Sequence, residues 1–479
     1  MLTSMHRDVL ERADLLKKYA APLIYDYTEY PTKGVWTDSF GSEKFSEAIS
    51  TWLPENENVL FYVHTPFCEE LCYFCLCSKE ITRDYSKVKD YLYNDLFQEI
   101  SILKSHLARG GFKLNVRELY FGGGSPTYYK EEDFSALLAK LAEVIDFDAV
   151  ETFTVEIDPR RVTREKLQFY ALSGVNRLSF GVQDFDLEVQ KEINRIQPAE
   201  LLEELLVPEV RSLFKTVNFD ILVGLPKQTP MSMRETIERV CSIGPDEVQP
   251  LYVHYKPNTR SYMTRMVRNV LMPDFYDRKA IYAEVVDGLI AGGYVRAGYE
   301  NFAKPTDVLS RAMSTGTATY NSLGTTTGEN TSFISVGSSA HGVFSNYYYQ
   351  NYYERDQYSL ALKSGKFPVY RGLELSRDDM IRRDIIKYFR IYDSLQKPLF
   401  ERRWGIKFDT YFLSENEKIE GFVNDGLVNN NEGVLQLTPL GREFTPRFCE
   451  IFDKYANRPL VSDSFRVNVS QLRMTTTSL

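Results

Sequence analysis

The chain has 479 residues, 43% of them hydrophobic, 14% aromatic and 26% charged, with a formal net charge of −9. That composition is ordinary for a globular protein and lacks the basic footprint of a nucleic-acid binder, so no nucleic-acid partner is expected. No uncharged apolar run is long enough to span a bilayer, and the charged N-terminus MLTSMHRDVLERADLLKKYAAPL has no apolar core like that of a signal peptide. The expectation is a cytoplasmic protein without a membrane partner.

Residues 1–55 read as a helical and loop extension that begins with an amphipathic helix. Short apolar runs then alternate with helical patterns. The strand candidates are 59–64, 116–121, 152–158, 177–181, 217–224 and 249–255. Helical stretches fall at 86–106, 131–144, 164–173, 198–214 and 231–241. Strands alternating with helices form βαβ units and a parallel sheet, so the fold class is α/β. Six units suit a barrel or an open partial barrel, with its active site at the C-terminal ends of the strands. Residues 256–350, rich in Gly, Thr and Tyr, read as extra strands and loops covering the barrel mouth, which closes a catalytic unit over 56–350. The helical SRDDMIRRDIIKYFRIY and the turn-bearing GLVNNNEGVLQLTPLGREF then make 351–456 a small, mostly helical, winged-helix-like domain, followed by a flexible polar tail over 457–479.

Four of the six cysteines fall within FYVHTPFCEELCYFCLCSK, directly after the first strand. Crowded thiols in a long chain point to a metal or cluster rather than to a disulfide framework. Cys68, Cys72 and Cys75 are spaced CxxxCxxC, and thiolates are the soft ligands of iron–sulfur clusters. Three ligands on four irons leave one iron open for the amino and carboxylate groups of S-adenosylmethionine (SAM). Phe67, Tyr73 and Phe74 supply an apolar shell. The alternative is zinc, which usually takes a second, distant ligand pair that this sequence does not show. Cys77 is read as a neighbour of the cluster, since ten residues leave little slack for a fourth ligand.

With these residues in place, the chain resembles the oxygen-independent coproporphyrinogen III dehydrogenase (oxidase) family of radical SAM enzymes. The resemblance runs from YTEYPT at 27–32 to LTPLGR at 437–442, through FGGGSPTYY, VEIDPR, NRLSFGVQDF, NRIQ, FDILVGLPKQTP and RDDMIRRDII. It implies a radical SAM partial (β/α)6 barrel holding a [4Fe–4S] cluster on Cys68, Cys72 and Cys75. It also implies a SAM pocket in which Tyr62 packs on the cofactor and Gly123, Gly124 and Ser125 let the backbone approach its methionine part. Glu156 would meet the amino group or ribose, and Gln183, Arg195 and Asp220 would complete the site. Phe74 and Leu222 belong to the same cofactor-binding set. For Glu156 and Asp220 the alternative is a salt bridge at a strand end. The chemistry implied is reduction of the cluster by an external donor such as a flavodoxin or ferredoxin. SAM is then cleaved to methionine and a 5′-deoxyadenosyl radical, and hydrogen is abstracted from substrate. In decarboxylating members two propionates become vinyls.

Several positions depart from the decarboxylase pattern. Asp26 stands where Arg is frequent, Glu29 replaces a Ser, and Leu323 occupies a Gln position. His254 and His341 replace apolar residues that line a second SAM site, and SSAHG around His341 resembles branches that do not decarboxylate coproporphyrinogen. The two histidines are the candidate acid–base catalysts, the alternative being satisfied core residues. Lys256, Arg260 and Arg296 are either anion-binding groups or solvated surface. The tyrosines at 347–349 and 352–353 read as a hydrophobic lid edge rather than a redox relay. Three functional readings follow: coproporphyrinogen III decarboxylation; methyl transfer, cyclopropanation or tetrapyrrole modification with a second SAM on another substrate; and a haem-carrying chaperone. The complete cysteine run and SAM pocket favour an enzyme.

Overall fold

The computed structural model describes residues 8–20, 27–52, 57–110, 114–268, 270–431 and 433–456. Asp26 and the expected tail at 457–479 lie outside these residues.

Twelve strands form one sheet: β1 (Val59–Thr65), β2 (Val116–Gly123), β3 (Thr152–Ile157), β4 (Arg177–Gln183), β5 (Thr216–Val223), β6 (Glu247–Tyr252), β7 (Val295–Arg296), β8 (Phe302–Ala303), β9 (Ser332–Val336), β10 (His341–Phe344), β11 (Tyr347–Asn351) and β12 (Val369–Glu374). Their order is β12-β11-β10-β9-β1-β2-β3-β4-β5-β6-β8-β7. Strands β1 to β6 are the six expected, each parallel to the next. All seven residues of β1 are buried, as expected of a parallel strand covered on both faces. In β5 the alternation decides the two faces: Val217, Phe219, Ile221 and Val223 enter the main apolar core. Asn218 and Asp220 turn inward, where they hydrogen bond to each other and to Ser179 of β4.

The region expected as irregular cover is more ordered than its composition suggests. Its strand β9 pairs parallel to the free edge of β1 and extends the parallel run to seven strands. It also contains the 17-residue helix Phe275–Ala291, which packs beside Pro230–Ile243. This helix buries residues on several sides, so no apolar stripe marks it in the sequence. Its capping box, Asp274 with Asp277, was the available signal. The helix expected over 198–214 is two short ones, Ala199–Leu205 and Pro208–Arg211, because Pro208 cannot continue the first.

The sheet runs past residue 350, where the catalytic unit was expected to end. Strand β12 pairs with β11, so the catalytic sheet continues to Glu374. Beyond it, helix Arg377–Ile391 starts from a capping box of Ser376 and Asp379. The expected hairpin forms from Val428–Asn431 and Val434–Leu437, with Ser394–Gln396 as a third strand. This region has its own apolar core, which also takes in Val9, Leu15, Leu16, Tyr27 and Tyr30 from the N-terminal extension. Further along, Phe45 and Ile49 of helix Ser42–Thr51 enter the main core. The extension therefore fastens the C-terminal region to the catalytic sheet.

Candidate active site

The cysteine loop is a noose tied at its base. Phe67–Cys68 pairs with Glu80–Ile81, and the Thr82 N–H donates to the Cys68 carbonyl at 3.0 Å. Inside the noose, the Tyr73 N–H donates to the Ile193 carbonyl at 3.0 Å and Asn194 Nδ2 to the Leu71 carbonyl at 2.9 Å. Tyr73, Phe74 and Leu76 pack with Leu222, Val253 and Met263, which brings the expected pair Phe74 and Leu222 into one apolar patch.

The thiols lie in an electrostatically biased setting. Arg195 Nη1 is 3.5 Å and Arg160 Nη2 3.8 Å from Cys72 Sγ. The neighbouring Cys77 thiol and Lys79 hold Cys75 below the usual thiol range against the effect of burial. Cys75 in turn pushes Cys77 up. Burial, then the neighbouring Cys75 and Cys72, push Cys68 up to about 12. Three thiols on one loop, with cations beside them, suit an iron–sulfur cluster in ligand type and charge. In such a cluster each thiolate binds a different iron, so the three thiols need not converge on one metal position.

Beside the noose, the parallel strands β1, β3 and β5 carry Tyr62, Glu156 and Asp220. The Tyr62 hydroxyl is 3.2 Å from His64 Nδ1, and His64 Nε2 is 3.0 Å from the Ser78 carbonyl. A carbonyl only accepts, so Nε2 carries the proton and Nδ1 accepts from Tyr62. Burial lowers His64 to about 4, which keeps it neutral. Glu156 accepts the Gly123 N–H at 3.0 Å and the Tyr120 hydroxyl at 3.1 Å, while burial, then Asp220, push it up to about 7. Asp220 is also pushed up by burial. Neither carboxyl has an ion-pair partner among the described residues, so the strand-end salt bridge does not form; both are available to a cationic or hydroxylated ligand.

Gln183 and Arg195 meet over Gly181, where a Cβ would stand 2.8 Å from Gln183 Nε2 and 3.0 Å from Arg195 Nη2. Arg195 also donates to the Gly181 carbonyl at 2.7 Å and lies 3.5 Å from Asp158. The glycines after β2 have internal reasons. A Cβ at Gly123 would lie 2.4 Å from His64 Nδ1, and one at Gly124 would lie 2.6 Å from the Phe67 carbonyl. Ser125 continues this crossing, its N–H donating to the Phe67 carbonyl at 2.8 Å.

The two candidate histidines lie on different elements. His341 lines a cavity with Thr28, Glu29, Phe333 and Lys387, and its Nε2 contacts the Glu29 carboxylate. His254 does not line that cavity; it follows β6 and adjoins the patch around Val253. Glu29 is not a free negative charge, since His341 and Lys33 face it. Leu323 packs with the group of Tyr62 and Phe333. Arg296 Nη2 forms a buried ion pair with Glu443 at 2.8 Å. The tyrosine run is sheet rather than lid: Tyr347–Asn351 is β11, and the Tyr349 hydroxyl accepts the Ser335 N–H at 2.8 Å.

Residues 62–240 match the model of the radical SAM superfamily, and residues 375–444 match that of the HemN C-terminal domain. The chain is 35% identical to the oxygen-independent coproporphyrinogen III oxidase of Escherichia coli K12 over 429 residues, 90% of this chain and 92% of that one. It is 32% identical to that of Pseudomonas aeruginosa over 92% of this chain and 95% of the relative. The solved structure of the Escherichia coli enzyme HemN, a radical SAM enzyme, superposes with a TM-score of 0.84 and 34% identity, covering 92% of this chain and 98% of that one. The chain belongs to the oxygen-independent coproporphyrinogen III oxidase family. Members of this family are radical SAM enzymes, and this chain is therefore a radical SAM enzyme that uses a [4Fe–4S] cluster and SAM.

For this family member the structure adds residues that sequence reasoning left unassigned. His64 links Tyr62 to the end of the cysteine loop. Asp158 and Arg160, within the VEIDPR motif, form a 2.7 Å ion pair beside Cys72. Tyr120 holds Glu156. His64 and the Asp158–Arg160 pair both lay inside recognised motifs; Tyr120, one of 32 tyrosines, had no distinguishing signal.

Proposed function

We propose that this protein oxidatively decarboxylates two propionate side chains of coproporphyrinogen III in haem formation. The observation that carries this reading is the cysteine loop after β1 together with Tyr62, Glu156 and Asp220 on β1, β3 and β5, Gln183 ending β4, and Arg195 beside Cys72. The curated relatives that share this whole architecture are named coproporphyrinogen III oxidases. Cys68, Cys72 and Cys75 would hold the cluster, while Tyr62, Phe74, Leu222, Glu156, Gln183, Arg195 and Asp220 would hold SAM. When bound, these groups supply the carbon radical that removes hydrogen from substrate. The chain's own residues bind, orient and keep water away. His64 fixes the Tyr62 ring, and the noose with its apolar patch shields the cluster. The pairing of Glu29 with Lys33 and His341 cancels the charge that would otherwise repel a tetracarboxylate.

The external electron donor, a second SAM and a cytoplasmic setting belong to the same proposal; a reducing compartment suits six thiols that are all free. One observation supports a second reading. Leu323 and His341 stand where the decarboxylase pattern has Gln and an apolar residue, and both border the group of Tyr62 and Phe333. This supports methyl transfer or another tetrapyrrole modification. The deciding experiment is an anaerobic assay of the reconstituted protein with SAM, dithionite and coproporphyrinogen III, read by mass spectrometry. A product lacking two carboxyl groups supports the first reading, whereas 5′-deoxyadenosine with untouched porphyrinogen supports the second. Tight haem binding without SAM cleavage would overturn both in favour of a haem carrier.

A further inference from the structure

We infer that the basic segment 256–268, together with Lys79, is the docking surface for an acidic one-electron carrier protein, an inference that rests on the reading above that reduction comes from outside. The segment reads KPNTRSYMTRMVR, four basic residues and no acidic one, in a chain whose net charge is −9. It is anchored beside the cysteine loop. Met263 and Met266 of the 3-10 turn Ser261–Val267 are buried with Tyr73, Phe74 and Leu76. Its polar atoms bond directly to the loop backbone: the Tyr262 hydroxyl donates to the Cys75 carbonyl, and Arg260 Nη2 to the Leu76 carbonyl at 3.3 Å. Lys79 Nζ reaches the Cys75 carbonyl at 3.1 Å and the Tyr262 hydroxyl at 3.2 Å. Arg265 lies over the Tyr73 ring at 5.4 Å.

Four cations on this flank are uncompensated. Among the described residues Lys79, Arg260, Arg265 and Arg268 form no ion pair with a carboxylate, and Arg265 and Arg268 are exposed. On the opposite flank of the loop, Glu69 and Glu70 are neutralised by Arg83, Arg160 and Arg161 at 2.7–3.5 Å. Positive potential therefore stands out where the loop backbone at Cys75 and Leu76 is one hydrogen bond from the segment. Such a patch steers a partner whose redox centre is ringed by carboxylates. The step is one electron: the carrier's reduced centre loses it, the cluster passes from [4Fe–4S]2+ to [4Fe–4S]+, and no bond or proton moves.

The test is stopped-flow bleaching of the cluster absorbance in reconstituted protein by reduced flavodoxin, at low and high salt, beside photoreduction with a neutral deazaflavin. Calorimetry with oxidised flavodoxin gives binding independently of turnover. The wild-type rate should fall as salt rises. Arg265→Glu/Arg268→Glu should lower the flavodoxin rate at low salt by about 10–100-fold and weaken binding in parallel. Arg265→Lys/Arg268→Lys should restore both, with cluster content, deazaflavin reduction and the KM for substrate unchanged. If the charge-reversed protein loses its cluster, the milder Arg268→Ala is compared. A salt-independent wild-type rate, or an unchanged flavodoxin rate in the variants, would overturn the inference. A raised substrate KM with normal flavodoxin reduction would do so too, assigning the patch to the anionic substrate. The bleaching rate and the calorimetry do not depend on the identity of the tetrapyrrole product.

Discussion

The Glu29 carboxylate and the His341 Nε2 are in direct contact at the joint between the N-terminal extension and β10, and Lys33 Nζ lies 3.3 Å from the same carboxylate. Burial pushes Glu29 up, but the facing His341 and Lys33 outweigh it and hold it at about 2. Burial likewise lowers His341, against the pull of Glu29. Glu29 thus stabilises the fold above its unfolded value of about 4.3, and that contribution is lost as pH falls toward 2. We expect His341→Ile to cost about 1–3 kcal/mol in urea unfolding at pH 7, because a buried carboxylate loses a partner. The double variant Glu29→Ser/His341→Ile should recover most of it. Strict additivity of the two single effects would show that the contact is not energetically coupled.

Arg195 sits 3.5 Å from the Cys72 sulfur, and its positive charge favours the reduced, more negative cluster. Arg195→Gln should lower the cluster potential by about 40–170 mV, the one-electron equivalent of about 1–4 kcal/mol for charges some 4 Å apart. Potentiometric titration of the reconstituted protein measures this. An unmoved potential would confine Arg195 to its contacts with Gly181 and Asp158.

Cys75 and Cys77 are neighbours on the loop with different expected roles. Cys68→Ala, Cys72→Ala and Cys75→Ala should each abolish the brown absorbance of a reconstituted cluster, whereas Cys77→Ser should keep it. Loss of that absorbance in Cys77→Ser, with a matching fall in iron and sulfide content, would make Cys77 a ligand.

Glu99 is a buried carboxyl that accepts the Gly337 N–H and Asn351 Nδ2, each at 2.7 Å, and the Tyr358 hydroxyl. It steadies the turn whose Ser339 Oγ lies 3.4 Å from His64 Nε2. An amide would turn its own donors toward these donors, so Glu99→Gln should cost about 1–3 kcal/mol. Burial pushes Glu99 up to about 7. The folded state therefore keeps a proton that the unfolded state has lost, and stability falls as pH rises from about 4.3 toward 7. Thermal unfolding across that range should show this slope in the parent protein and a shallower one in Glu99→Gln.

Strands β1 to β6 were legible because their outer faces repeat apolar residues between helical patterns, and the cysteine run was legible because spacing alone carries its chemistry. Strand β9 and helix Phe275–Ala291 were not. A five-residue strand gains its meaning from the free edge of β1, and a helix buried on several sides has no stripe to reveal it. The same holds within the site. The set Tyr62, Glu156, Gln183, Arg195 and Asp220 followed from motif resemblance, but the bonds of Arg195 to Gly181 and Asp158 did not.

By itself the sequence determined the α/β class, the cluster chemistry and the family, because these depend on residue type and short-range spacing. Only the tertiary structure decided which charges are cancelled. Glu29 meets His341 from more than three hundred positions away, Arg296 meets Glu443, and Arg260, Arg265 and Arg268 form no ion pair with a carboxylate among the described residues. Ion pairing depends on distance in space and on burial, and both are set by how the chain returns upon itself.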